Sequence, residues 1–257
     1  MDPGATYPGP DFGTVQSVRS VDDVLRNLAE ATAGLIKNLS QLTDADARGV
    51  SLLPGWTRGH VLTHLARNAE GGTRLLGWAR TGVPSYEYPS VAARTAAIEE
   101  GANRPAAVLV ADVAATASAF ADAAAAMPPD GWQKLITWTI GGQTPAEHVA
   151  RSRLAEVLIH QVDLDLGYGP GSWPAAFVRD LLPDVVDRLI ERALAPLSAQ
   201  LNATDTGRSF PVGGQDPEQI SGTEAELLAW LLGRSGGDGL GRDKPGPLPI
   251  VPSIYYT

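Results

Sequence analysis

The chain contains no cysteine among its 257 residues. Disulfides, zinc–thiolate sites and thiol nucleophiles supplied by the protein are therefore excluded. Any thiol chemistry requires a thiol brought in by another molecule. Positive charge is also scarce, since only three lysines occur and the formal net charge is −9. A nucleic-acid-binding surface needs clustered lysine and arginine, so this composition argues against that class of function.

Targeting and membrane-spanning segments are also missing from the sequence pattern. Residues 1–18 are rich in glycine and proline and lack the basic and apolar regions of a signal peptide. No apolar run approaches the ~20 residues that a membrane helix needs. We therefore expect a cytoplasmic protein that does not contact a membrane. Its hydrophobic fraction of 44% supplies a buried core.

The first two thirds of the chain have the pattern of a helical bundle. Apolar spacing, capping residues and proline stops predict four long helices, at residues 20–41, 58–80, 105–127 and 145–166. The polar stretch 44–50 reads as a connection, and 130–143 as a long loop with room for a short hairpin. Four long helices within about 150 residues are typical of a four-helix bundle, in which facing helices build metal sites.

After a glycine- and proline-rich break at 167–171, the sequence pattern changes from long helices to a mixture of helices and strands. A helix is predicted from Pro174 to about residue 193, and strands are predicted at 197–203 and 208–212. Thr223 and Glu226 form a capping box that opens a short helix ending at Arg234. The sequence thus predicts an α+β protein in three parts: a flexible arm at 1–19, a metal-binding bundle at 20–168, and a small C-terminal α/β domain with an extended tail at 169–257.

The fourth predicted helix carries the strongest chemical signal. Thr144 as N-cap, Pro145 in the first turn and Glu147 three residues after the cap predict its start. Glu156 and His160 are four residues apart and therefore share one face. Their neighbours along the helix are apolar. A carboxylate and an imidazole in such a setting indicate a shared metal ion.

A third ligand is expected from the second helix, which carries His60 and His64 four residues apart. Spacing alone leaves the choice between them open. His64 lies deeper in the helix among apolar residues, whereas His60 is in the first turn, so we favour His64. Two histidines and one carboxylate form the three-ligand set of an open catalytic zinc site.

Two further residues have alternative readings. Asp163, which follows the expected ligands, is either an acceptor that orients a ligating imidazole or part of a solvated acidic helix end. Arg234 either binds a substrate carboxylate or interacts with the dipole of its own helix.

Together these motifs resemble the mycothiol-dependent maleylpyruvate isomerase family, whose N-terminal part is a DinB-like four-helix bundle. The residues that carry the resemblance are the segment 51–64 (SLLPGWTRGHVLTH) with Asn68, and the segment 153–164 (RLAEVLIHQVDL). A weaker block runs from Ser221 to Arg234. The resemblance covers nearly the whole chain beyond residue 20.

The resemblance implies a zinc site formed by His64, Glu156 and His160 and a catalytic role for Arg234. It also implies substrate contacts from the segment that contains Tyr88 and Arg94. We place Asp163 and His60 beside the ligands as candidate supporting residues.

The resemblance further implies zinc as metal and mycothiol as thiol cosubstrate. A thiolate would add to the cis double bond of maleylpyruvate, the bond would rotate, and elimination would leave fumarylpyruvate. The same zinc and thiol would serve an S-transferase acting on another electrophile, and zinc-bound water would serve a hydrolase. A non-catalytic helical binding module is a further alternative, which the three-ligand count disfavours.

Overall fold

The computed structural model describes residues 20–139, 141–191 and 197–248. The predicted arm at 1–19 and the end of the predicted tail lie outside the described residues. The described chain divides into two compact units, one ending at Leu166 and the other beginning at Gly167. It is mostly helical with two small sheets, which confirms the α+β class. Its elements, in chain order, are α1 (Val21–Leu39), α2 (Asp44–Arg48), α3 (Arg58–Thr81), α4 (Val91–Gly101), α5 (Ala106–Ala125), β1 (Leu135–Thr137), β2 (Gln143–Pro145), α6 (Glu147–Asp163), α7 (Ala175–Glu191), β3 (Ala199–Ala203), β4 (Ser209–Val212), β5 (Glu218–Gly222), α8 (Glu224–Leu231) and β6 (Gly241–Arg242).

The first unit is built on the four predicted long helices. α3 packs against α5 and α6, and α1 packs against α6 and α5. α3 is the central element, and much of its length is buried. Its start is fixed by a capping box, in which the hydroxyl of Thr57 accepts from the backbone of His60 and the ring of His60 accepts from the backbone of Thr57.

Two short helices in the first unit were not predicted from the sequence. α2 replaces the expected polar connection, because Thr43 and Asp46 form a capping box around it. α4 escaped prediction because its apolar pattern is weak, and only Ile98 and Gly101 are buried on it. α4 packs against α3.

The predicted start of the fourth helix is wrong. Thr144 and Pro145 belong to β2, which pairs antiparallel with β1, and the helix begins at Glu147 after Ala146. The hydroxyl of Thr144 accepts a hydrogen bond from the indole of Trp138 at 2.9 Å and does not cap a helix. Thr144 and Pro145, which the local sequence assigns to the start of a helix, therefore belong to the β1–β2 hairpin.

α5 is long and apolar enough by composition to cross a membrane, contrary to our expectation that no segment reaches that length. It packs along α3, and its buried residues form a single stripe, as on a bundle helix: Ala106, Leu109, Val113, Thr116, Phe120 and Ala124.

The second unit contains a four-stranded sheet in the order β4-β3-β5-β6. β3 pairs antiparallel with β4 and parallel with β5, and β5 pairs antiparallel with β6. α7 and α8 pack against each other. The predicted capping box of Thr223 and Glu226 is present. The helix that this box opens ends at Leu231, so the prediction that Arg234 ends that helix is wrong. Gly233, directly before Arg234, has a left-handed backbone conformation.

Candidate metal centre

Two facing helices, α3 and α6, bring three ligand-type side chains together. His64 comes from α3, and Glu156 and His160 come from successive turns of α6. One ligand atom from each lies within 4.8 Å of the other two. This is the only such group of histidine and acidic side chains found among residues 20–139, 141–191 and 197–248.

The three ligand atoms converge on one point. His64 Nε2 lies 2.8 Å from Glu156 Oε2 and 3.1 Å from His160 Nε2. His160 Nε2 lies 3.1 Å from Glu156 Oε2. Donor atoms on a tetrahedral ion with bonds of about 2.1 Å are roughly 3.4 Å apart. A small outward shift of the three side chains would therefore make room for a divalent ion, and two histidines with one carboxylate are a donor set that zinc accepts.

The electrostatics of the centre follow from its burial. Burial lowers the pKa of His64 to about 3, so its imidazole is neutral, as a ligand must be. Burial acts to raise the pKa of Glu156, but the adjacent His64 and His160 outweigh it and hold that pKa well below its ordinary value. Glu156 is therefore ionised, as a carboxylate must be to coordinate a metal.

His160 has a partner for its second ring nitrogen. His160 Nδ1 donates to the buried carboxylate of Asp163 at 2.8 Å. Burial acts to lower the pKa of His160, but the hydrogen bonds to Asp163 and Glu156 outweigh it and raise that pKa. Such a carboxylate behind a ligating histidine fixes its orientation and tautomer. The structure thus brings Asp163 to the position expected from the sequence.

His60 is placed differently from the other candidates. Its Nδ1 accepts from the backbone of Thr57 at 3.1 Å, and its Nε2 lies 3.3 Å from a carboxylate oxygen of Glu99. Neither of these two contacts involves His64, Glu156 or His160. His60 caps its own helix, and a supporting role for it beside the ligands stays a prediction.

Arg94, on α4, reaches the centre directly. Its Nη2 lies 3.1 Å from His64 Nδ1, and its guanidinium carbon is 5.8 Å from the centre of the Tyr88 ring. Tyr88 is buried, and burial raises the pKa of its hydroxyl. The structure therefore brings Arg94 into contact with His64, and Tyr88 lies beside Arg94.

Arg234 lies in the second unit, in the turn after α8. Its Nη1 donates to the carbonyl of Leu232 at 2.7 Å. The turn begins at Gly233, whose φ of 71° is a left-handed conformation that glycine adopts without strain. A catalytic role for Arg234 stays a prediction.

Three residues of the site were not singled out from the sequence. The buried side chain of Arg153 donates through Nη1 to the carbonyl of Leu65 at 2.8 Å and to Asn68 Oδ1 at 2.9 Å, which ties α6 to α3 beside the ligands. Arg153 lies one turn before Glu156, which is the signal that could have identified it.

Glu87 is the second of these residues and directly precedes Tyr88. Burial, together with the nearby charge of Glu156, raises the pKa of Glu87 to about 7.

Trp56 is the third residue that the sequence did not single out. Its ring centre is 5.9 Å from those of both His60 and His64. The ring of Trp56 therefore lies close to His64 as well as to His60.

Comparison with known proteins agrees with this architecture. The model of the mycothiol maleylpyruvate isomerase N-terminal domain family matches residues 28–165. None of the curated proteins matches the chain. A crystal structure of the mycothiol-dependent maleylpyruvate isomerase is similar with a TM-score of 0.86 and 27% identity, over 91% of this chain and 97% of that one.

A mutant of that isomerase, in which alanine replaces a histidine, is similar with the same TM-score and coverage at 26% identity. The family match contains all three ligand side chains and the two helices that carry them. It also covers more than half of the chain. This protein therefore belongs to the mycothiol maleylpyruvate isomerase N-terminal domain family.

Proposed function

We propose that this protein is a zinc- and mycothiol-dependent cis-trans isomerase that converts maleylpyruvate to fumarylpyruvate. The observation that carries the proposal is an open set of three ligand side chains in a chain that has no cysteine. A structural zinc site usually has four protein ligands, whereas a catalytic one keeps a position for an exogenous group. The likeness to a mycothiol-dependent isomerase over nearly its full length supports the same assignment.

His64, Glu156 and His160 would hold the metal. When bound, a divalent ion lowers the pKa of a thiol that coordinates it, so that the sulfur is a nucleophile near neutral pH. Asp163 holds the ring of His160 in place, and Arg153 holds α6 against α3. Because the protein has no thiol of its own, the sulfur must come from a cosubstrate.

The proposed reaction forms a bond from the thiol sulfur to one carbon of the cis double bond. The π electrons move toward the neighbouring ketone oxygen, and the former double bond becomes free to rotate. Return of the electrons expels the thiol and leaves the trans isomer. A cation near the developing oxygen charge would favour this step. Arg94 and Arg234 are our candidates for that role and for binding the substrate carboxylates.

A reduced low-molecular-weight thiol as cosubstrate fits a cytoplasmic enzyme, since the cytosol keeps thiols reduced. An S-transferase acting on another electrophile would use the same metal and the same thiol, and would differ only in keeping the adduct. Product analysis therefore separates the two functions.

Zinc-loaded protein should be incubated with mycothiol and maleylpyruvate, and the products identified by ultraviolet absorbance and mass spectrometry. The proposal predicts fumarylpyruvate with mycothiol recovered unchanged. Accumulation of a stable thioether instead would identify a transferase and contradict the isomerase assignment.

A further inference from the structure

The two ligand histidines are held by partners of opposite hydrogen-bonding character. Behind His160, the ring nitrogen Nδ1 faces the carboxylate of Asp163 at 2.8 Å, which accepts hydrogen bonds. Behind His64, the corresponding Nδ1 faces the guanidinium nitrogen Nη2 of Arg94 at 3.1 Å. Arginine is protonated in proteins and can only donate. The asymmetry fixes where the proton of each neutral ring lies.

His64 is held with its proton on Nε2. Because Arg94 donates to Nδ1, that nitrogen must present its lone pair. The remaining proton is then on Nε2, which donates to the ionised carboxylate of Glu156 at 2.8 Å. Both partners thus select the same tautomer.

A metal requires the other tautomer of His64. The nitrogen that points at the ligand set is Nε2, and it must offer a lone pair to coordinate an ion. A neutral ring that coordinates through Nε2 carries its proton on Nδ1, and an N–H at Nδ1 cannot accept from Arg94. His160 meets no such conflict, because Asp163 already keeps its proton on Nδ1.

We propose that Arg94 locks His64 in the tautomer that cannot bind metal, and that metal binding releases the Arg94 guanidinium for an anionic substrate. The inference rests on the metal site of the proposed function. The proton of His64 moves from Nε2 to Nδ1, so the ring keeps one proton throughout. Arg94 leaves Nδ1 and gains a free donor edge.

The surroundings of Arg94 suit this second state. It lies on α4 with part of its side chain exposed, and its guanidinium is 5.8 Å from the centre of the Tyr88 ring. The aromatic face can continue to stabilise the cation after it leaves His64. Arg94 therefore binds a substrate carboxylate most readily in the metal-loaded protein, which couples the binding of metal and substrate.

The tautomer is read directly by nuclear magnetic resonance. In protein with ¹⁵N-labelled histidine, two-bond ¹H–¹⁵N correlations distinguish a ring protonated on Nε2 from one protonated on Nδ1. We expect His64 to be protonated on Nε2 in metal-free protein and on Nδ1 after one equivalent of zinc. A metal-free His64 already protonated on Nδ1 would overturn the lock.

Zinc affinity gives an independent test, measured by competition with a chromophoric chelator at pH 7. Arg94→Met removes the donor and should tighten zinc binding about tenfold or more. Asp163→Ala removes the acceptor behind His160 and should weaken it by about 10–100-fold. If Arg94 and Asp163 only supported the fold, both substitutions would change zinc affinity in the same direction. Arg104→Met, which removes an arginine that pairs with Asp112 instead, is the matched control and should leave affinity unchanged.

Unchanged or weaker zinc binding by Arg94→Met, in protein with a wild-type thermal melt, would overturn the inference. That result would leave the proposed function standing if the wild-type chain binds one zinc. Failure of the wild-type chain to bind zinc at all would instead refute the proposed function.

Discussion

Both ring nitrogens of His160 have a close partner in the candidate metal centre. Its Nε2 faces Glu156 and His64, and its Nδ1 donates to Asp163. The i, i+4 spacing of Glu156 and His160 was enough to predict this pair, because helix geometry puts both on one face. Spacing did not decide between His60 and His64, because they are four residues apart and therefore share one face of α3. In the structure, only His64 joins the ligand set.

Replacing His160 by alanine should abolish stoichiometric metal binding. Loss of one of three ligands leaves two, which is below the number of protein ligands at catalytic zinc sites. Metal content of purified protein, measured by inductively coupled plasma mass spectrometry, is the readout. His60→Ala is the matched control, since that ring caps its own helix. Full metal in His160→Ala with loss in His60→Ala would reverse the ligand assignment.

Glu87 gives the metal-free protein a specific pH dependence. Its pKa is raised from 4.5 to about 7, mainly by burial. Between these values the folded chain retains a proton on Glu87 that the unfolded chain releases, so the contribution of Glu87 to the free energy of unfolding falls as pH rises through this window. Glu87→Gln should remove that fall, leaving the variant on the order of 1–3 kcal/mol more stable than wild type at pH 8 and similar to it at pH 4.5.

Urea unfolding of both proteins at the two pH values, with a chelator present, measures this effect. Glu30→Gln, on the exposed side of α1, is the control and should follow wild type. An equal pH dependence in Glu87→Gln and wild type would show that another group is responsible.

At the scale of elements, local capping signals predicted helix starts correctly where the capping residues do not pair with a strand. The capping box predicted at Thr223 is present, and the predicted second helix begins with a capping box at Thr57. The box expected at Thr144 is absent because that segment pairs with β1, a non-local contact that local sequence does not encode. α4 was missed for a related reason: its contact with α3 uses small residues and leaves little apolar periodicity to detect.

The close approach of α4 to α3 depends on Gly59. A β-carbon at this position would lie 2.0 Å from the carbonyl oxygen of Ala102, so the backbone would have to move. Gly59→Ala should destabilise the fold by about 1–3 kcal/mol, the usual cost of overpacking. Gly77→Ala, on the same helix with nothing within 4 Å of the added carbon, should instead stabilise it by about 0.5–1 kcal/mol. Thermal melts of both variants provide the check, and equal effects at the two glycines would contradict this packing.

At the scale of the whole molecule, the ligand side chains all belong to the first unit and Arg234 belongs to the second. The proposed substrate is a dianion, and a chain of net charge −9 repels it unless local cations compensate. We therefore predict that Arg234→Ala lowers kcat and raises KM, with a cost of about 2–4 kcal/mol, as for loss of a single oxyanion donor.

Metal content of Arg234→Ala should equal that of wild type, because Arg234 is not in the ligand set. Steady-state kinetics beside a thermal melt distinguishes catalysis from stability. Wild-type turnover with a lowered melting temperature would assign Arg234 a structural role, in keeping with its hydrogen bond to Leu232.

We expect the set of His64, Glu156 and His160 to support catalysis only with both a metal and an external thiol. Turnover of maleylpyruvate should be measured in four parallel assays, with chelator-stripped or zinc-reloaded protein, each with and without mycothiol. Activity is predicted only when zinc and mycothiol are both present, and the intact mass of the protein should be unchanged afterwards, since the chain has no cysteine to alkylate. Full turnover by zinc-loaded protein in thiol-free buffer, or by stripped protein with mycothiol, would show that the reaction does not need both.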